Sequence, residues 1–165
     1  MITTAWRLLE SEGLEALTMR RLASEIGMRA PSLYKHLPDK AALKAALVEE
    51  ALAQMGDALH AAAVRPGRRT PLAAVLDTYR RYGTGNPNLY RLTTVGELPR
   101  AQLPDGLEEW AGTPFFLVTG EPHQAQALWA FAHGMVILEI DRRFPDVSVL
   151  DRTWRAGASA FERSA

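Results

Sequence analysis

Thr18-Met-Arg-Arg-Leu-Ala-Ser-Glu-Ile-Gly27-Met-Arg-Ala-Pro31-Ser-Leu-Tyr-Lys-His-Leu37 is the stretch on which the reading of this chain turns. Thr18 has the side chain of a helix N-cap, and Met19, Leu22, Ala23 and Ile26 come after it at i, i+3, i+4 and i+7, one face of a helix. Gly27 ends that helix. A second short helix is expected over 30–36, with Pro31 tolerated in its first turn and Pro38 closing it. Two short helices joined by a three- to four-residue turn that begins at glycine have helix-turn-helix spacing. Leu33 and Leu37 would anchor the second helix on Leu22 and Ile26. Arg29, Ser32, Lys35 and His36 would then face outward, the kinds of group that reach base edges in a major groove.

The helical period extends in both directions. Ala5, Leu8 and Leu9 mark a first helix over 4–12 that Gly13 stops. Asp39 caps a long helix to Val64, striped by Leu43, Leu47, Ala51, Met55, Ala58 and Leu59. At 1.5 Å per residue it would be roughly 39 Å long, enough to connect two modules. Arg65-Pro-Gly-Arg-Arg-Thr-Pro71 reads as a linker, and Thr70 with Pro71 as N-cap and first position of the next helix. That helix carries Leu72, Val75, Leu76 and Tyr79 and stops near 83–87; a short helix over 88–95 and a loop over 96–104 come next. Two separate helical pieces are expected around 106–111 and 114–118, then a long helix from Pro122 to about Phe144. Ser148 with Asp151 resembles a capping box opening the last helix, to about Glu162. No strand-like alternation occurs. The expected fold is all-α: a three-helix helix-turn-helix DNA-binding domain (1–44), a long connecting helix, and a helical ligand-binding and dimerisation domain (45–165).

Composition tests this reading. The chain has 165 residues, equal numbers of acidic and basic side chains, and no cysteine. Disulfides, thiolate catalysis and Cys-ligated zinc are excluded. A net charge of zero argues against nucleic acid until the charges are located. Between Thr18 and Lys44 stand Arg20, Arg21, Arg29, Lys35, Lys40 and Lys44 against only Glu25 and Asp39, a local excess of four positive charges. That is the footprint phosphate contacts require. No segment has a signal-peptide pattern or the ~20 apolar residues of a membrane span, so cytoplasmic placement with no membrane partner is the expectation.

The second half is apolar where it is informative. From Ala125 to Ile140 one helix is apolar nearly all round, with Leu128, Trp129, Ala132, Val136 and Ile140 on a broad face and Phe131, Met135 and Leu138 on another. Such a helix must be covered on every side. A second copy of the chain is the economical cover, with Leu128, Ala132, Val136, Trp154, Ala158 and Phe161 as the expected homodimer contacts and the small residues of the last helix permitting close approach. Tyr79, Tyr82, Trp110, Phe115, Phe116, Trp129 and His133 could line a site for a hydrophobic or aromatic small molecule, or serve simply as core. A lone buried histidine is more often a hydrogen-bonded structural residue than a ligand contact. His123 and His133 do not have helical metal-pair spacing, and no Gly-rich phosphate loop follows a strand. No metal, cofactor or catalytic group is expected. The rival, an enzyme with His133 or His123 as base beside Glu139 or Asp141, has no paired motif.

The run from Leu17 to Leu43 resembles the DNA-binding domain of tetracycline-repressor-like (TetR) regulators. The matching residues are Thr18, Leu22-Ala23, Gly27, Leu33-Tyr34-Lys35-His36-Leu37 and Lys40. The resemblance implies that Tyr34 and Lys40 contact phosphate and that Thr18 lies near the DNA backbone. Leu37 stands where the family has Phe, and Arg29 stands where a Ser or Thr caps the recognition helix. No basic arm precedes the first helix, so any contact from one is expected to be missing. Trp129-Ala-Phe-Ala-His133-Gly134 resembles a Trp-x-x-x-His-Gly signature of one C-terminal domain type in the same family. Together these resemblances imply a homodimeric repressor, released by an effector from a palindromic double-stranded operator. The alternative is a dimeric small-molecule-binding protein with a weak or vestigial DNA-binding head.

Overall fold

The computed structural model describes residues 1–162. Among these the fold is all-α, with no strand. The helices are α1 (Ile2–Ala16), α2 (Met19–Glu25), α3 (Ala30–Leu33), α4 (Lys40–Val64), α5 (Pro71–Gly85), α6 (Pro87–Thr94), α7 (Leu107–Thr119), α8 (Pro122–Ile140) and α9 (Leu150–Glu162). Single 3-10 turns cover Arg100–Gln102 and Val147–Val149.

Caps explain most boundaries. Thr18 Oγ1 accepts from the amide of Arg21 at 3.1 Å, Asp39 Oδ1 from Ala42 at 2.8 Å, and Thr70 Oγ1 from Ala73 at 3.2 Å. Each satisfies a first-turn amide that has no intrahelical acceptor. Glu121 does the same for α8, accepting from His123 and Gln124 at 3.0 and 2.7 Å, and those backbone amides hold its carboxyl below the usual range. Gly13 breaks α1 where expected: its φ of 82° lies in the left-handed region, although three helical residues come after it.

Three expectations are corrected. The second helix of the pair is a single turn, Ala30–Leu33, and 34–36 form a turn instead. Pro38 disfavours the helical region for the residue before it, and Leu37 lies outside the helix. Segment 107–119 is one helix running through Pro114. The residue-148 capping box does not form: Asp146 accepts from the Ser148 amide at 2.8 Å, while Asp151 pairs with Arg80 at 2.6 Å.

The chain divides into two compact units, 1–53 with 86–107, and 54–85 with 108–165. The division expected at 44/45 concerns function, and the compact units cut elsewhere, inside α4. The first unit has a core of leucines from α1 to α4 closed by Leu89 of α6. Glu10 fastens α6 to α1. Its carboxylate accepts from the amides of Leu89 and Asn88 at 2.8 and 3.3 Å, and the Asn88 side chain donates to the carbonyls of Leu9 and Glu10.

In the second unit α5 packs on α8 and α9, and α8 on α9. Gly157 of α9 faces the Phe131 ring so closely that a Cβ there would lie 2.1 Å from Cζ. On α7, Trp110 stacks on His60 with ring centroids 3.6 Å apart and donates from Nε1 to Asp57 at 3.1 Å. His60 Nε2 lies 3.0 Å from the Trp110 carbonyl, the very group Pro114 leaves without an intrahelical donor.

Candidate functional site

In the first unit the α2–α3 pair stands on buried Leu22, Leu33 and Leu37, with Ile26 partly buried against them. That anchoring turns the remaining side chains outward. Arg29, Ser32, Tyr34, Lys35 and His36 are all exposed, Tyr34 at 49%. The N-cap of α3 is Arg29, whose guanidinium has only donors and so cannot accept from a first-turn amide, and the side chain is exposed. Small polar, aromatic and cationic groups therefore share the surface of one short element.

The positive charge is less available than a count of residues suggests. Arg21 grips Glu12 through Nε at 3.1 Å and Nη2 at 2.7 Å, and Glu25 through Nη1 at 2.7 Å. Arg7 also pairs with Glu25. The hydrogen bond from Arg21, then that from Arg7, holds the Glu25 carboxyl below its ordinary range, and Glu12 then Glu25 raise Arg21 further. Lys40 donates to the carbonyl of Leu14 at 3.0 Å, closing the C-terminal turn of α1. Thr18 is occupied as a cap. Among the described residues, Arg20, Arg29 and Lys35 are exposed and in no ion pair. Arg20 belongs to the basic window but is not among the expected contacts. Its exposure on α2, on the far side of the helix from buried Leu22, is set by the helical period.

The residues expected to line a ligand cavity do not converge. Tyr79 and Phe115 are buried in the second unit and meet edge to face at 5.4 Å. Tyr82 is half-buried. Trp110, Phe116 and Trp129 are 44–47% exposed. His133 stacks on Trp129 with centroids 5.9 Å apart, and burial pushes its imidazole below the ordinary range. Because α7 is continuous, Phe115 and Phe116 sit about 100° apart around it, one inward and one outward.

The expected dimer contacts are also placed differently. Leu128, Ala132, Val136, Trp154 and Ala158 are buried inside their own unit, and Phe161 is half-buried. The cause is the packing of α8 on α5 and α9, which takes up that face. The outward side of α8 carries Trp129, Ala130 and Leu138 instead. Glu139, considered as a partner for a catalytic histidine, is engaged by Arg80 at 3.0 Å and by the Trp154 indole N–H. Among the described residues no His/Asp/Glu group of three could hold a metal ion, and no helix is long and apolar enough to cross a membrane.

Comparison with known proteins agrees with the helix-turn-helix geometry. The pattern of bacterial regulatory proteins of the tetR family matches residues 1–47, and that of the tetracyclin repressor-like C-terminal domain matches residues 72–161. The chain is 48% identical over 52 residues to the class C tetracycline repressor protein of Escherichia coli, which is 32% of this chain and 24% of that protein. It is 24% identical over 159 residues to the HTH-type transcriptional regulator Rv0681 of Mycobacterium tuberculosis, 89% of this chain and 72% of the other. A TetR variant from Acinetobacter baumannii AYE, solved in complex with minocycline, shares the fold with a TM-score of 0.66 at 20% identity, covering 98% of this chain and 94% of its own. With the two patterns lying in order and the second alone spanning more than half of the sequence, the chain belongs to the tetR family of bacterial regulatory proteins.

Proposed function

We propose that this regulator is a homodimeric repressor that reads a palindromic operator and is released by a small-molecule effector. The observation that carries the DNA-binding part is the exposure of Arg29, Ser32, Tyr34, Lys35 and His36 on a turn anchored by buried Leu33 and Leu37. Side chains of this kind read base edges and phosphates when a short helix enters the major groove. In this reading residues 1–44 form the DNA-binding part and 45–165 the sensing and dimerising part. Two-fold symmetry then requires half-sites about one helical turn, roughly 34–36 Å, apart.

Dimerisation is assigned to the exposed half of α8, where Ala130 lies between Trp129 and Leu138 at its two edges and all three leave apolar surface in water. The effector is a hydrophobic or aromatic molecule bound in the second unit. Its leverage on the operator equals its differential affinity for the bound and released conformations, with α4 as the covalent connection. The internal pairing of Arg21 and Lys40 favours one rival, a dimeric binding protein whose head holds DNA weakly. Fluorescence anisotropy with DNA from upstream of the protein's own operon separates the two. A salt-sensitive, sequence-preferring complex supports the repressor, and its absence from every fragment supports the rival.

A further inference from the structure

An open groove runs along the seam between α5 and α9. Ala73, Leu76, Asp77 and Arg80 line it from α5, and Asp151, Trp154, Arg155 and Ala158 line it from α9, each set an i, i+3, i+4, i+7 stripe. Stripes with this spacing on packed helices ordinarily interlock and leave few voids larger than water. Here, with Arg69, they border a groove of about 430 Å³, the size of a small-molecule site.

The floor of the groove is apolar, since Leu76, Trp154 and Ala158 are buried. Its rim is charged, and the carboxylates there are already neutralised. Asp77 holds Arg69 at 2.6 Å and Arg81 at 2.9 Å, and Asp151 holds Arg80 at 2.6 Å. Arg80 reaches Glu139 as well and lies over the Trp154 ring. Arg155 differs. It donates from Nε to the backbone carbonyl of Asp151 at 3.0 Å, and among the described residues its terminal nitrogens form no hydrogen bond. Within the lining three guanidinium groups, of Arg69, Arg80 and Arg155, thus face two carboxylates, of Asp77 and Asp151, an excess of one positive charge above an apolar floor.

We propose that this groove binds a small organic monoanion with a flat apolar body. The anionic head would take the terminal nitrogens of Arg155, a geometry guanidinium groups favour for carboxylates and sulfonates. The body would lie against Leu76, Trp154 and Ala158. Binding stands on this geometry alone. A role as effector rests in addition on the regulator reading above.

Isothermal titration calorimetry on the full chain tests it with three probes of one shape: 2-naphthoate, neutral 2-naphthalenemethanol and cationic 2-naphthylmethylammonium. We expect naphthoate to bind once per protomer, and the neutral and cationic probes at least tenfold more weakly. Arg155→Gln, at an exposed position, should weaken naphthoate ten- to hundredfold, the worth of a charge-assisted hydrogen bond. Ala73→Leu should narrow the groove and weaken naphthoate binding while circular dichroism stays unchanged. Equal affinity for the neutral probe, an unaltered affinity in Arg155→Gln, or no naphthoate heat at millimolar concentration would overturn the site. Naphthoate binding that leaves the protein–DNA complex intact overturns the effector role alone.

Discussion

Replacing His60 by alanine probes how α7 carries a proline in its middle. Pro114 has no N–H for the carbonyl of Trp110, four residues earlier. His60 Nε2 sits 3.0 Å from that oxygen, and because a carbonyl only accepts, Nε2 must carry the proton. The imidazole also stacks on the Trp110 indole. The hydrogen bond lies near solvent, so its net worth is about 0.5–1.5 kcal/mol rather than the cost of a sealed unpaired group. Stacking adds about 0.5–1.5 kcal/mol. His60→Ala should therefore cost about 1–3 kcal/mol, with Tm falling about 2–4 °C per kcal/mol in a chain of this size. The decisive measurement is the same substitution in a Pro114→Ala background, monitored by thermal circular dichroism. Alanine at 114 returns an N–H to the Trp110 carbonyl, so only the stacking part of the loss should remain. Equal losses in both backgrounds would refute the claim that His60 serves the carbonyl the proline abandons.

The same geometry sets further outcomes. Gly157→Ala should destabilise by about 1–3 kcal/mol, because its Cβ would meet the Phe131 ring, and Phe131→Leu in that background should recover most of the loss in a urea titration. Arg20→Ala should weaken DNA of every sequence alike and shrink the log–log salt slope by about one. Lys40→Ala should instead act mainly through Tm, since its ammonium is engaged by Leu14, and a larger slope change than that of Arg20→Ala would contradict the assignment. Arg21 holds the folded Glu25 carboxyl below its ordinary 4.5, so that pairing stabilises the fold above pH 4.5 and is lost as pH falls through the lowered folded value. Arg21→Gln should flatten the acid limb of a stability–pH curve, and an unchanged limb would count against the pairing.

Local features of the chain are legible in the sequence because their causes are local. Thr18, Asp39 and Thr70 act as caps, Gly13 breaks its helix, and the Leu22/Leu33/Leu37 anchor forms as the spacing implies. The illegible features depend on distant partners. Pro114 looks like a helix breaker until a histidine fifty-four positions earlier supplies the missing donor. An all-round apolar α8 does not reveal which face its own chain will cover, so Leu128, Ala132 and Val136 are internal and Trp129 outward. The aromatic residues are candidates by type, and type carries no direction. The basic window counts Arg21 and Lys40 as available, whereas Glu12, Glu25 and the Leu14 carbonyl hold them. The α5–α9 groove has no sequence signal, because its two stripes look like ordinary amphipathic packing until the groove between them is seen.

The central claim is that the α2–α3 surface of a two-fold pair reads specific DNA. It is tested most directly by anisotropy titrations of the upstream DNA of the protein's own operon across a salt series, against a scrambled duplex of equal length. The account predicts two protomers per palindromic site, a preference over the scrambled duplex of at least about a thousandfold, and its loss in Ser32→Ala with Lys35→Ala. Equal affinity for both duplexes, or no salt-sensitive complex with any fragment, would contradict it.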